Sequence, residues 1–176
     1  MNLTLKTARL LLPLAILVLP GNADPTPQPP MTLTPVAAGT SAADWAGVAG
    51  RTYFLQWSND MENWYYAPII DFGDGDHSYG CASTSPGFFV RLHYGEFDGI
   101  NSLEDARNAD FDGDGLSNIF EVTYGYNPFQ SISTTDGPDA LLDPDDDGMG
   151  NDTEQALGLN PMVKDNPKVM LDVAAY

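Results

Sequence analysis

Three aromatic-rich runs in the first half of the chain, at 52–57, 64–70 and 88–94, each predict a β-strand. The first and last runs also alternate with a period of two, which places successive side chains on opposite faces of an extended backbone. In the first run, Tyr53, Leu55 and Trp57 share one face. In the last, the shared face comprises Phe88, Val90, Leu92 and Tyr94, whereas Phe89, Arg91 and His93 point the other way.

Turn-forming residues separate these runs, with a turn predicted at 58–63 and a loop at 73–80. The simplest interpretation is a small antiparallel β module over residues 47–97. Upstream, the segment 24–46 is interrupted by prolines at 25, 27, 29, 30 and 35. Because repeated proline favours extended polyproline conformation, we expect a linker there and no fold before about residue 46.

The pattern changes after residue 96, where short helices and acidic, glycine-containing loops are predicted up to residue 165. Ser102, followed three residues later by Asp105, predicts a short helix ending near residue 108. Two further helical turns are expected at 118–124 and 151–157, closed by Gly125 and Gly158. The predicted fold class is therefore mixed: a small antiparallel β module followed by two repeats, each a loop plus a short helix.

The two acidic loops, residues 110–121 and 143–154, form an internal repeat with a period of 33 residues. Both match the pattern D-x-D-x-D-G-x5-E, and both are followed at the same offset by G-x-N-P. Ca²⁺ prefers 6 to 8 oxygen ligands, and a wound loop presents alternate side chains inward. We therefore predict one Ca²⁺ per loop, two ions in all.

The predicted ligands occupy equivalent positions in the two loops. Acidic side chains act at positions 1, 3, 5 and 12, and position 7 contributes its backbone carbonyl. Gly115 and Gly148 allow the sharp turn, and Asn118 and Asn151 are candidates for a water-mediated contact. The ligands are Asp110, Asp112, Asp114, Leu116 and Glu121 in the first loop, and Asp143, Asp145, Asp147, Met149 and Glu154 in the second.

Alternatives stay open for the two loops and for a third acidic segment. The loops could be solvated acidic turns without an ion, an alternative that is stronger for the second loop, where Asp146 replaces a small residue and Pro144 stiffens the entry. The run 71–76 offers acids for a third ion but has no glutamate at the required distance, which favours an acidic turn.

The strings 110–128 and 143–161 resemble bacterial thrombospondin type 3 repeats, in which a D-x-D-x-D-G-L-x-x-x-x-E loop leads into a short helix ending in G-x-N-P. EF-hands instead carry an apolar residue at position 8, where this chain has Ser117 and Gly150. The resemblance covers about residues 102–165 and implies an extracellular, calcium-stabilised spacer. More weakly, the β module resembles a segment that precedes such repeats in secreted bacterial proteins.

The N-terminus predicts export. Lys6 and Arg9 precede an apolar run at 10–19, and small residues at 21 and 23 suit a cleavage site, so residues 1–23 resemble a signal peptide rather than a membrane anchor. The expected location is extracellular, with the bacterial cell surface or periplasm as alternatives, and no membrane insertion is expected after cleavage. Residues 166–176 are assigned to a C-terminal tail.

Charge and composition narrow the function classes. Cleavage would remove two of the seven basic residues and none of the 25 acids, leaving a net charge of −20 that disfavours nucleic acid as a partner. Cys81, the sole cysteine, is expected to be a buried apolar residue. His77 and His93 lie in no catalytic motif, so we expect a non-catalytic protein. A small secreted hydrolase is a weaker alternative, as is a glycan-binding or cell-surface adhesion module whose aromatic platform would comprise Trp57, Trp64, Tyr65 and Tyr66.

Overall fold

The computed structural model describes residues 19–20, 28–37, 39–73, 75–82 and 87–165. The predicted signal peptide lies outside these ranges except for residues 19–20, and the predicted tail lies outside them entirely, so both stay predictions. Within the part of the chain that the structure describes, no helix is both long and apolar enough to cross a membrane.

The described residues form seven strands, three α-helices and one 3₁₀ turn. Strands come first and helices follow, as the sequence predicted. In chain order the elements are β1 (Leu19–Pro20), β2 (Thr32–Ala37), β3 (Thr40–Ala46), β4 (Arg51–Ser58), β5 (Tyr65–Phe72), β6 (Asp76–Ala82), β7 (Phe89–Glu96), α1 (Leu103–Asn108), α2 (Asn118–Tyr124), the 3₁₀ turn (Asp139–Leu141) and α3 (Asn151–Leu157).

The strands pair in two small sheets. The first has the order β1-β7-β4-β5 and the second β2-β3-β6. All pairings are antiparallel except that of the two-residue β1, which runs parallel to β7. The three strands predicted at 52–57, 64–70 and 88–94 correspond to β4, β5 and β7, and are confirmed to within two residues at each end.

One face of β4 and β7 packs against the second sheet. Tyr53 and Leu55 from β4 lie in this core, and the predicted face of β7 contributes Val90, Leu92 and Tyr94. The second sheet supplies Ala43 and Trp45 from β3 and Cys81 from β6, and Met31 lies with them. Cys81 is buried as predicted, and burial raises the pKa of its thiol.

The opposite face of the first sheet is also covered, because α1 and α2 pack on it. Phe54 of β4 is fully buried there with Ile70 and Phe72 of β5. Ala106 of α1 and Val122 of α2 complete this second core. The segment that the sequence separates as a second module therefore shares a hydrophobic core with the first.

Two sequence predictions are wrong. The linker predicted for 24–46 contains β2 and β3, and the loop predicted for 73–80 overlaps β6. Pro35 is tolerated because β2 is an edge strand, and a register shift follows between Pro35 and Ala37. Ala43 and Trp45 are two residues apart and both buried, which fits the period-two pattern of a strand. The prolines upstream of them led to the prediction of a linker instead. In β6, polar turn-forming residues are held in a strand by pairing with β3.

Candidate metal centre

The first acidic loop connects α1 to α2 and is wound around its first aspartate. The carboxylate of Asp110 accepts hydrogen bonds from the backbone N–H groups of Gly113, Asp114 and Gly115 at 2.7, 3.2 and 2.9 Å. Gly115 has a φ of 100°, in the left-handed region that disfavours a Cβ. The predicted sharp turn at position 6 is thus confirmed.

These aspartates lie together with a glutamate that α2 provides. One carboxylate oxygen from each of Asp110, Asp112 and Asp114 lies within 4.8 Å of the others. Glu121 is fully buried in the first turn of α2, and neither of its carboxylate oxygens has a hydrogen-bond partner among the described residues. Within the same ranges, Oδ2 of Asp112 and Oδ2 of Asp114 are also buried without a partner. Four oxygens therefore lack the partners that buried carboxylates require.

The electrostatics of the loop are those of a site that favours a cation. Burial, followed by the neighbouring charges of Asp112 and Asp114, raises the pKa of Glu121 to about 9. Burial and the charge of Asp114 likewise raise the pKa of Asp112 to about 6. Like charges this close disfavour full ionisation, whereas a bound cation would reverse the effect.

The second loop repeats this arrangement. Asp143 accepts hydrogen bonds from Asp147 N–H at 3.1 Å and Gly148 N–H at 2.9 Å. One oxygen each from Asp143, Asp145 and Asp147 cluster within 4.8 Å. Glu154 is fully buried, and across the described part of the chain neither of its oxygens has a hydrogen-bond partner. Its pKa rises to about 7, first through burial and then through Asp145 and Asp147. The two triplets of aspartates could each hold a metal ion.

Comparison with models of known protein families, with curated proteins and with solved structures finds no match to this chain.

The position-7 residues anchor the loops in the interior of the protein. Leu116 is fully buried in a third apolar cluster with Phe120, Tyr126 and Ala140, and Met149 at the equivalent position is 9% exposed. This burial fixes where the backbone lies at position 7. That the two carbonyls act as ligands stays a prediction.

Both position-9 asparagines donate hydrogen bonds to backbone carbonyls that lie outside the acidic loops. The amide nitrogen of Asn118 donates to the carbonyl of Ala106 at 2.8 Å, and its amide oxygen accepts from Phe111 N–H at 3.3 Å. Asn151 donates to the carbonyl of Asp139 at 2.7 Å. The amide of Asn118 therefore joins the loop to α1, and a water-mediated contact to an ion stays a prediction for both asparagines. Since Ala106 and Asp139 are also 33 residues apart, the structural repeat begins before the acidic loop.

Phe111 connects the first loop to the sheet. It occupies position 2, where alternation directs a side chain away from the carboxylates. Its ring stacks on Phe97 with centroids 3.6 Å apart, and it meets Phe54 of β4 edge to face at 6.0 Å. A change in the shape of this loop would therefore reach the core beneath the sheet.

Two polar residues near the first loop were missed from the sequence. Asp139, which is fully buried, accepts the N–H of Ser133 with both carboxylate oxygens, and its charge helps to raise the pKa of both Asp114 and Glu121. Gln155 of α3 reaches loop 1 from the second repeat. Residue 155 is Gln where the first repeat has Val122. This difference between the repeats was the only feature of the sequence that could have pointed to Gln155.

The remaining sequence candidates have identifiable contacts. Of the four proposed platform aromatics, Trp57 packs beside the 54%-exposed Tyr65, Trp64 lies under the guanidinium of Arg91, and Tyr66 hydrogen-bonds His93 and Asn127. A glycan-binding role for them stays a prediction. In the run 71–76, Asp71 contacts His77 Nδ1 at 2.7 Å. Among the described residues, only the aspartate triplets of the two loops form acidic clusters of metal-binding geometry, so the described part of this run forms none.

Proposed function

We propose that this chain binds two calcium ions, one in each acidic loop, and that calcium stabilises its C-terminal part as a structural, non-catalytic module. One observation carries the proposal. In each loop a fully buried glutamate, Glu121 or Glu154, has two oxygens without a hydrogen-bond partner among the described residues and lies close to a triplet of aspartates. A divalent cation would satisfy these oxygens and offset the repulsion between them.

The donor chemistry favours calcium over other metals. Both clusters consist of carboxylates. Carboxylates are hard oxygen ligands, which suit Ca²⁺ and Mg²⁺ better than they suit the softer transition metals. Mg²⁺ requires near-octahedral geometry and usually retains several waters. Four carboxylates and a carbonyl from one loop suit the larger, more flexible coordination shell of Ca²⁺.

Calcium would act on stability because the loops are joined to the rest of the fold. Phe111 extends from the first loop into the core under the sheet, and Asn118 ties the loop exit to α1. Metal-binding free energy then contributes to folding free energy. The resemblance of both loops to bacterial thrombospondin type 3 repeats, together with the signal-peptide-like residues 1–23, supports a role outside the cell.

Limited proteolysis of the chain, with and without calcium, tests the proposal. We expect calcium to protect the segment 98–165, and magnesium at the same concentration to protect it less. Glu121→Gln and Glu154→Gln should each reduce the protection, whereas the exposed Glu62→Gln should not. Equal cleavage with calcium and with chelator would refute the proposed function.

A further inference from the structure

Gln155 bridges the two acidic loops. It lies in α3, directly after Glu154, and its side chain crosses to the first loop 38 to 40 residues earlier. Its amide oxygen accepts hydrogen bonds from Ser117 N–H at 2.7 Å and from Ser117 Oγ at 2.9 Å. Its amide nitrogen donates to the carbonyl of Gly115 at 2.9 Å. One side chain thus holds the backbone on both sides of Leu116.

These contacts are placed to control the ligand geometry of the first loop. Leu116, between the two contacted residues, is the position expected to offer its carbonyl to the ion. Ser117 is the N-cap of α2, where its side chain accepts from Phe120 N–H, and α2 carries Glu121. By fixing Gly115 and Ser117, Gln155 therefore positions both the carbonyl ligand and the start of the helix that provides the glutamate.

The position of Gln155 depends in turn on the second loop. Glu154 closes that loop from α3, so a cation held by Glu154 and the three aspartates would fix the helix from which Gln155 extends. The counterpart of Gln155 in the first repeat, Val122, is buried against the sheet instead. The bridge is thus specific to the junction between the repeats and is not a repeated feature of both loops.

We propose that Gln155 is a positioning residue for the first calcium site, and that through it calcium in the second loop raises the affinity of the first loop. This inference rests on the proposed function. By linkage the coupling is reciprocal, so calcium in the first loop also favours binding in the second.

Site-resolved calcium titrations of the full chain test the coupling. The backbone amide resonances of Gly115 and Gly148 report the two loops separately. Glu154→Gln, which disables the second loop, should weaken calcium binding at Gly115 by about fivefold or more, the usual lower range for coupled sites. In a Gln155→Met background, which keeps the side-chain length but removes all three hydrogen bonds, the first loop should start weaker, and Glu154→Gln should weaken it no further.

Gln130→Ala is the matched control, since residue 130 is an exposed glutamine in the same module; its coupling should equal that of the wild type. If Glu154→Gln leaves binding at Gly115 unchanged while both wild-type loops bind calcium, the coupling is refuted and the proposed function stands. The coupling is also refuted if Gln155→Met retains the full effect of Glu154→Gln. If the wild-type loops bind no calcium, the proposed function fails and the inference fails with it.

Discussion

Raising the pH in the absence of calcium should destabilise the protein, and Glu121 should be a main cause. Burial and neighbouring aspartates raise the pKa of Glu121 from 4.5 to about 9 in the calcium-free fold. Between these two values the folded chain retains a proton that the unfolded chain releases. The free energy of unfolding therefore falls as the pH rises through this window, and the stabilisation is fully present only below about pH 4.5.

The size of the effect follows from proton linkage. One retained proton changes the free energy of unfolding by about 1.4 kcal/mol per pH unit. From pH 5.5 to 7.5, Glu121 alone would lower stability by at most about 2.7 kcal/mol, or roughly 5 to 10 °C in Tm for a chain of this size. Glu154 and Asp112, whose pKa values rise to about 7 and about 6, add to the decrease in the lower part of this range.

Thermal unfolding of resin-stripped protein at several pH values measures this slope. Glu121→Gln should reduce the slope by about one proton and should raise the calcium-free Tm at pH 7.5, because it removes a buried acid that resists ionisation. The same variant should gain less stability from added calcium. Glu62→Gln, which alters an exposed acid, should match the wild type. A calcium-free Tm that is flat or rises between pH 5.5 and 7.5 would refute the reasoning.

Four other substitutions test three separate parts of the structure. Phe54→Ala removes a fully buried ring from the core between the sheet and the two helices α1 and α2. It should cost about 3 to 5 kcal/mol in denaturant unfolding, and a cost below about 1 kcal/mol would contradict the shared core. Asp146 has a φ of 60° where the first loop has Gly113 with a φ of 82°. Asp146→Gly should therefore retain or improve calcium-loaded stability, whereas Gly113→Asp should lower it by about 1 kcal/mol or more in thermal unfolding, and equal effects would argue against strain at this position. Tyr66→Phe removes hydrogen bonds to His93 and Asn127 and should cost about 1 kcal/mol in urea unfolding; an unchanged midpoint would show that these bonds do not stabilise the fold.

The strands could be predicted where alternation was strong and turn residues marked the ends. Tyr53, Leu55 and the apolar face of β7 lie in one core, as expected. The second sheet was missed because Pro35 and the polar, glycine-containing β6 have low strand propensity, and pairing with β3 overrides it. That Phe54 and Val122 share a core could not be predicted either, since the pattern marks buried faces but not their partners.

The acidic loops could be predicted because each one is a continuous segment whose acidic residues follow a fixed spacing. Spacing predicted the aspartate triplet and the turn glycine of each loop, and the structure shows both; that these aspartates and the glutamates bind an ion stays a prediction. It did not identify the hydrogen bond that the amide of Asn118 donates to the carbonyl of Ala106. Nor did it indicate the bridge from Gln155, because contacts between loops depend on how the repeats pack.

Isothermal titration of calcium into the metal-stripped full chain tests the central claim most directly. We expect saturation at about two ions per chain, with Glu121→Gln and Glu154→Gln each losing one ion and Glu62→Gln losing none. The absence of measurable calcium binding, or full binding in both glutamine variants, would contradict it.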